Sequence, residues 1–347
     1  MQGQLISLLA AKPGAMIGAL PAETGIVLDA QGYLGWAAPF WTVVSFTGAA
    51  AFFLLLLPLV YWCVSPRLGL RLGLLLAISV GVNTGAKLLL ATPRPYWVST
   101  AVHPLAVHPS FSMPSGHAQN AVPFWGLLAA WTGWKRWAVA GATVLVLLTG
   151  LSRVVLGVHF FRDVLAGWAI GAVLLVGFLW LERPASAWAK GVPWPRKIAA
   201  LLIGAAALVV PAAVAVLYLQ APLPAAWVET ATATSGLPAA LAIDPYSMTP
   251  ALFAAGTLFG IGAGAAWTGT DFDAGGSLRV RTTRYLLGTF LAALIWVALD
   301  LAFGWMGGAP TWLLDLLHPA ALGFWMTGGA PRLFARAGLL GAKEEQR

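Results

Sequence analysis

The chain has 347 residues, of which 59% are hydrophobic and only 9% charged, with a formal net charge of +8. Soluble domains carry about 25% charged and about 45–50% apolar residues, so this composition excludes a water-facing globular surface and marks an integral membrane protein. In such a chain Lys and Arg gather in cytoplasmic loops, and the basicity therefore implies no nucleic-acid partner. The single cysteine, Cys63, excludes an intrachain disulfide and a cysteine-based metal site.

Residues 1–34 carry apolar stretches broken by Lys12, Pro13 and Pro21, without the basic start and A-x-A end of a signal peptide. They read as an interfacial segment. Beyond them, apolar runs bounded by charge, Pro or Gly predict eight crossings at about 35–63, 68–91, 118–134, 137–152, 161–181, 198–219, 250–268 and 284–305. A weaker ninth, at about 312–331, contains Asp315 and His318 and ends in a Gly-Gly-Ala-Pro break. The expected fold is an all-helical polytopic membrane bundle of about nine spans. It comprises a five-span catalytic block at 35–183 and a rear block of four spans at 184–347, with the longest gap, 220–249, as linker.

Charge placement tests this layout independently of hydropathy. Alternate loops hold Arg67 and Arg71, then Lys135 and Arg136, then Arg183 to Lys197, then Arg279 to Arg284, and the tail holds Arg332 to Arg347. The loops between them are nearly free of Lys and Arg. By the positive-inside rule the N-terminus is outside and the C-terminus cytoplasmic, which needs an odd number of crossings and so supports the ninth.

Charges on the sparse side are the informative ones, because ionisable groups at membrane depth are costly and usually functional. They form three clusters: Lys87 with Arg94-Pro95, then Pro114-Ser115-Gly116-His117, then Ser152-Arg153 with His159 and Asp163. Topology alone brings all three to one face. Lys87, Arg94 and Arg153 are three cations with one nearby anion, Asp163, so the set calls for an anionic guest. Arg presents a planar fork to phosphate oxygens and Lys a point charge. Ser115 and Gly116 precede a predicted helix whose free N–H groups and dipole favour an anion. A phosphoryl group fits every feature.

His159 and Asp163 are four residues apart at a helix start, hence on one face. The carboxylate holds one ring nitrogen protonated and leaves the other free, the orienting role of Asp in a triad. His159 is then the candidate nucleophile, giving a phosphohistidine, and His117 the acid that protonates the leaving oxygen and later activates water. The three cations stabilise the transferring phosphoryl. Each residue also has a bland reading: Lys87 as a snorkelling side chain, Arg153 and Asp163 as a structural ion pair, the prolines as punctuation. The joint pattern outweighs these. His103 and His108 read better as an entrance or a cap at headgroup level than as catalysts, Asn83 as a hydrogen-bonding group that steadies Lys87, and Asp300 has no evident partner. No H-E-x-x-H or comparable zinc spacing occurs, and no cofactor is expected.

The run Lys87-x6-Arg94-Pro95, Pro114-Ser115-Gly116-His117 and Ser152-Arg153-x5-His159-x3-Asp163 resembles the three-part motif of the type 2 phosphatidic acid phosphatase superfamily. The resemblance spans about 36–181 and implies a metal-independent enzyme whose nucleophile is the third-motif histidine. Within the superfamily, an outer N-terminus, nine spans, Arg94-Pro95-Tyr96-Trp97 and Gly256-Thr257-Leu258-Phe259-Gly260 resemble the glucose-6-phosphatase branch, and sphingosine-phosphate phosphatases share the long rear block. Asp163 resembles the lipid phosphatases instead.

The leading expectation is therefore a bacterial inner-membrane phosphatase, its site facing the periplasm, acting on phosphatidate, a sphingoid-base phosphate or a polyprenyl (di)phosphate among membrane lipids. A soluble sugar phosphate is the alternative. A transporter or phosphate-group transferase is a third reading, weakened by the few polar residues in the rear spans.

Overall fold

The computed structural model describes residues 20–340 except 271 and 309, and among them it is built from helices and contains no strand. The part of the N-terminal segment at 1–19 lies outside the described residues. The helices are α1 Leu20–Leu34, α2 Ala38–Phe46, α3 Ala50–Cys63, α4 Pro66–Leu90, α5 Pro95–Val98, α6 Gly116–Trp131, α7 Arg136–Val155 and α8 Phe161–Gly191. They continue with α9 Trp194–Leu219, α10 Ala225–Ser235, α11 Ala239–Ala242, α12 Thr249–Thr268, α13 Leu278–Trp305, α14 Thr311–Phe324 and α15 Ala330–Arg336.

All nine predicted segments are helical. Six helical stretches are individually long and apolar enough to cross a membrane, and a seventh crossing results if α1 to α3, bent by 44°, count as one. The first predicted segment differs in shape from its expectation. The helical course begins ahead of position 35, passes through a 3-10 turn at Gly35–Ala37 and breaks between Phe46 and Ala50. The last one is interrupted too: a π-turn at Trp325–Gly329 absorbs the Gly-Gly pair before α15.

α4 is the hub. Ser65 caps its start by accepting from the Leu68 N–H at 3.3 Å, and Pro66 occupies the first helical position, where a missing N–H costs nothing. The helix stops at Ala91, which takes a left-handed φ of 46° and returns its N–H to the Lys87 carbonyl at 2.9 Å, just before Pro93 and Pro95 forbid continuation. On one side α4 packs against α3 and α6, and on the other against α9 and α12. The two blocks thus share a central helix. α12 lies almost on α14 because Gly256 and Gly260 face it; a Cβ at Gly256 would meet the Leu316 carbonyl oxygen at 2.2 Å. α13 is peripheral and presents its apolar side chains outward.

The linker expectation for 220–249 requires correction. The segment folds into α10 and α11, and Ala231, Ala242 and Ile243 belong to the same buried cluster as Tyr96, Trp97, Phe111 and Phe160. Its Pro and Ser residues lie at helix ends and in loops, Thr232 and Thr234 sit within α10 and return their hydroxyls to the carbonyls of Val228 and Thr230, and its apolar residues cover the motif loops.

Candidate active site

The eight predicted site residues lie at one end of the bundle, at the last turn of α4, the first turns of α6 and α8, the last turn of α7 and the loops between them. The short connections at 132–135 and 156–160 make α6, α7 and α8 antiparallel neighbours, and the longer segment 91–115 returns from α4 to the head of α6 at the same end. Two local features set the geometry. After α7, Gly157 adopts φ +71°, which lets the Val158 and His159 N–H groups both turn back to the Arg153 carbonyl at 3.2 Å. The reversal points His159 inward. Gly167 on α8 allows α6 to approach, since a Cβ there would meet the Ser115 carbonyl oxygen at 2.6 Å. The Ser115 N–H in turn donates to the Asp163 carbonyl at 2.9 Å, tying the second motif to the third.

Arg94, 2% exposed, is saturated by the chain. Nε donates to the Ser110 carbonyl at 2.6 Å, Nη2 to Ser110 Oγ at 3.1 Å and the Phe111 carbonyl at 3.2 Å, and Nη1 to the Val158 carbonyl at 2.8 Å. The last donor meets His159 Nε2 at 3.3 Å. Lys87 donates to the carbonyls of Phe111 and, at 2.8 Å, Ser112. Among the described residues its third proton meets no acceptor. Arg153 donates to Ser45 Oγ and, at 2.6 Å, to His108 Nε2, while its Nε is buried without a partner. Ser115 Oγ is likewise buried and unpartnered. Unsatisfied donors inside protein cost free energy, and these two belong to the residues read from the sequence as phosphate ligands.

His159 Nδ1 lies 3.4 Å from Asp163 Oδ2. Ser112 is intercalated: its Oγ donates to the same carboxylate oxygen at 2.5 Å and sits 3.2 Å from Nδ1. That oxygen also accepts the Phe160 N–H at 2.9 Å, capping α8. Arg153 makes no ion pair with Asp163 among the described residues, so the structural-pair reading of those two fails; Arg162 is the cation near Asp163, at 3.8 Å, and its nearer partner is Glu23 at 3.1 Å. Burial, then the Arg94 and Lys87 charges, push the His159 imidazole well below the ordinary histidine range.

His117 opens α6 and rests against the Gly48 turn. Its ring centroid is 5.7 Å from that of His108. His108 therefore belongs to the site and not to a headgroup-level cap, and burial, then Arg153 and Arg94, hold its imidazole well below the usual range. His103 stays outside: it is exposed, and its backbone pairs with the Gln31 amide. Asn83 does hydrogen-bond within the bundle, but its Nδ2 holds the Pro114 carbonyl at 3.2 Å and Gln119 Oε1 at 2.9 Å, so it steadies the second motif and not Lys87.

Ser45, Ser110 and Ser112 were not legible as site residues. A lone serine near a loop has no periodic or spacing signal, and only three-dimensional convergence identifies it. A cavity of about 410 Å³ is lined by Asn83, Lys87, His108, Asn120, Asp244 and Thr249 among others. A second, of about 520 Å³, lies at the other end of α4 beside Arg67 and Phe272 and contains none of the motif residues. Among the described residues no three His, Cys, Asp or Glu side chains form a metal-holding group.

Two family profiles match the chain: that of the PAP2 superfamily over residues 68–187, and that of the PAP2 superfamily phosphatase transmembrane extension over 252–344. Phosphatidylglycerophosphatase B of Bacillus subtilis is 39% identical over 79 residues, 20% of this chain and 39% of that protein. Mouse sphingosine-1-phosphate phosphatase 2 is 29% identical over 133 residues, 37% of this chain and 38% of the relative. Bovine glucose-6-phosphatase 3 is 30% identical over 207 residues, 50% and 56% of the two chains. The chain thus spans about two-fifths of the length of the first two relatives and just over half of the third.

Proposed function

The chain belongs to the PAP2 superfamily, and from that premise we propose that it is a membrane phosphatase that hydrolyses a lipid phosphate through a phosphohistidine on His159, with its site at the outer membrane face. The observation that carries the reading is the pair of buried, unpartnered donors, Arg153 Nε and Ser115 Oγ, beside a histidine whose free nitrogen is held toward Arg94.

An arginine only donates, so Nε2 of His159 is the acceptor and carries the lone pair, and the proton of the neutral ring resides on Nδ1, facing Asp163 and Ser112. In the reaction the Nε2 lone pair attacks phosphorus as the ester P–O bond breaks, and His117 gives its proton to the departing oxygen. A water, deprotonated by His117, then attacks the phosphohistidine, the P–N bond breaks and phosphate leaves. An oxygen of the substrate replaces His159 Nε2 as acceptor for Arg94 Nη1, while Arg153 Nε, Ser115 Oγ, the third Lys87 proton and the N–H groups that open α6 at Gly116 take the remaining phosphoryl charge. No step requires a metal or other cofactor.

The membrane setting and the similarity to two lipid-phosphate phosphatases support a lipid substrate. The similarity to a glucose-6-phosphatase over half the chain supports a second reading, a soluble sugar phosphate at the same site. The test is release of inorganic phosphate by purified protein in detergent with a metal chelator present, across phosphatidate, sphingosine phosphate, a polyprenyl diphosphate and glucose 6-phosphate. Release from a lipid that is lost in His159→Ala is expected. Activity that requires added metal, or that survives this substitution, overturns the mechanism, and turnover of glucose 6-phosphate alone transfers the proposal to the second reading.

A further inference from the structure

Arg153 is placed by two residues that lie outside all three motifs. It sits in the last turn of α7 and is 1% exposed. Its Nη1 donates to Ser45 Oγ and its Nη2 to His108 Nε2 at 2.6 Å, and among the described residues Nε is buried without a partner. A guanidinium is planar, so two anchors on its fork fix the whole plane and with it the direction of the Nε–H. The free donor is therefore aimed by Ser45 and His108.

Both anchors are themselves held. Ser45 lies in the last turn of α2, where the first span breaks, and beside it Thr47 Oγ1 lies 3.2 Å from Thr149 Oγ1, one turn ahead of Arg153 on α7. Gly48, in the same break, abuts the other site histidine, since a Cβ there would meet His117 Cβ at 3.0 Å. His108 stands in the loop after α5, and the buried Tyr96 clamps its backbone from both sides: the Tyr96 hydroxyl donates to the His108 carbonyl at 2.7 Å and accepts the His108 N–H at 3.1 Å. Tyr96 follows directly on Arg94-Pro95. The first motif thus carries the anchor of the third-motif arginine.

The chemistry of that anchor matters as much as its position. An arginine only donates, so His108 Nε2 supplies a lone pair and the ring is neutral, with its proton on Nδ1. A carboxylate in the same place would hold the guanidinium at least as well but would cancel its charge, and in a buried site, where charges interact strongly, an incoming phosphoryl would meet a neutral pair. A neutral imidazole orients the cation and leaves its charge for the guest.

We infer that His108 is a positioning residue of the phosphate site, a neutral acceptor that, together with Ser45, turns the Nε edge of Arg153 toward the phosphoryl group. The inference rests on the proposed phosphatase site and adds to it two residues that the motifs do not contain.

The test titrates the melting temperature of purified protein with vanadate, which reads phosphoryl-site affinity without turnover. His108→Ala should weaken vanadate binding at least about tenfold, the scale of one hydrogen bond to a charged group. His108→Gln, whose amide oxygen stands where Nε2 does, should recover most of that loss. His108→Glu, of the same size but charged, should bind vanadate at least about tenfold more weakly than the Gln variant. Ser45→Ala removes the other anchor without touching the loop and should weaken vanadate in the same direction. A merely structural role would lower the vanadate-free melting temperature of the variants and would not separate Gln from Glu. Unchanged affinity in His108→Ala, or an equal loss in the Ala, Gln and Glu variants, overturns the inference. Phosphate release from the esters above, with a vanadate affinity indifferent to His108, refutes the anchor and leaves the phosphatase reading standing. Vanadate binding that follows the expected order in a protein that hydrolyses none of those esters does the reverse.

Discussion

Arg94 Nη1 donates to His159 Nε2 across 3.3 Å, so the candidate nucleophile is held by a cation that cannot accept. The contact fixes the tautomer with Nδ1 protonated and, together with burial, disfavours the imidazolium. The sign of the resulting pH dependence follows. An unfolded histidine takes its proton near pH 6.5, whereas the folded one resists it until well below. Between those values the unfolded state binds more protons, so stability falls as pH drops and is constant above about 6.5. His159→Gln removes the titration. The melting temperature of the native protein relative to this variant should be level at neutral pH and decline on acidification below that point. A flat difference, or a gain in acid, contradicts a neutral His159.

Ser112 is nearer to the Asp163 carboxylate, at 2.5 Å, than His159 is, at 3.4 Å. It is a positioning residue that keeps the carboxylate oriented while substrate binds. Ser112→Ala should lower kcat by roughly tenfold with KM little changed, the scale of one charge-assisted hydrogen bond. Asp163→Asn, which reverses one hydrogen-bonding role, should cost on the order of 10³ or more in kcat, as loss of an orienting carboxylate does in triads. A fall in the melting temperature of Ser112→Ala large enough to account for its lost activity would show instead that Ser112 acts only through folding.

The two motif arginines differ in how far the chain already uses them. Arg94 holds three backbone carbonyls, of Ser110, Phe111 and Val158, whereas Arg153 keeps a buried Nε free. Removing Arg94 leaves those carbonyls unsatisfied at about 1–3 kcal/mol each. Arg94→Ala should therefore lower the melting temperature and abolish activity together. Arg153→Lys should keep the fold and weaken binding of vanadate, a mimic of the five-coordinate phosphoryl, by at least about tenfold. Retained vanadate affinity in Arg153→Lys would remove Arg153 from the phosphate site.

The site was legible in the sequence to the extent that it is made of charges in an uncharged background. Lys87, Arg94, Arg153, His159 and Asp163 stand out because membrane burial makes each one expensive, and alternate loops had to bring them to one end. The serines that complete the network carry no such cost and left no signal. His108 was undervalued for a related reason: it lies in a loop with no periodicity, and only the fold brings it to within 2.6 Å of Arg153. Asp300, without an evident partner in the sequence, meets His318 at 3.2 Å across two helices whose pairing nothing local encodes. The spans were legible from hydropathy, but the break between α2 and α3 and the π-turn before α15 were not, because both are settled by packing against neighbours.

Orientation remains the property on which the cellular role depends, and the charge pattern makes it testable. The site end carries His103, exposed in the loop after α5, and the opposite end carries Lys190, exposed near the close of α8. The basic loops at the Lys190 end should be cytoplasmic. Cys63, the single native cysteine, is buried, so a Cys63→Ala background gives a silent reference. In that background, His103→Cys should react with a membrane-impermeant maleimide added to intact cells, and Lys190→Cys only after permeabilisation. The reverse pattern would put the phosphoryl site on the cytoplasmic face and would make a lipid of the inner leaflet, or a cytosolic phosphate ester, the substrate to pursue. Labelling of both from outside would contradict the expectation that α6, α7 and α8 supply three crossings between the two positions, since an odd number must separate opposite faces.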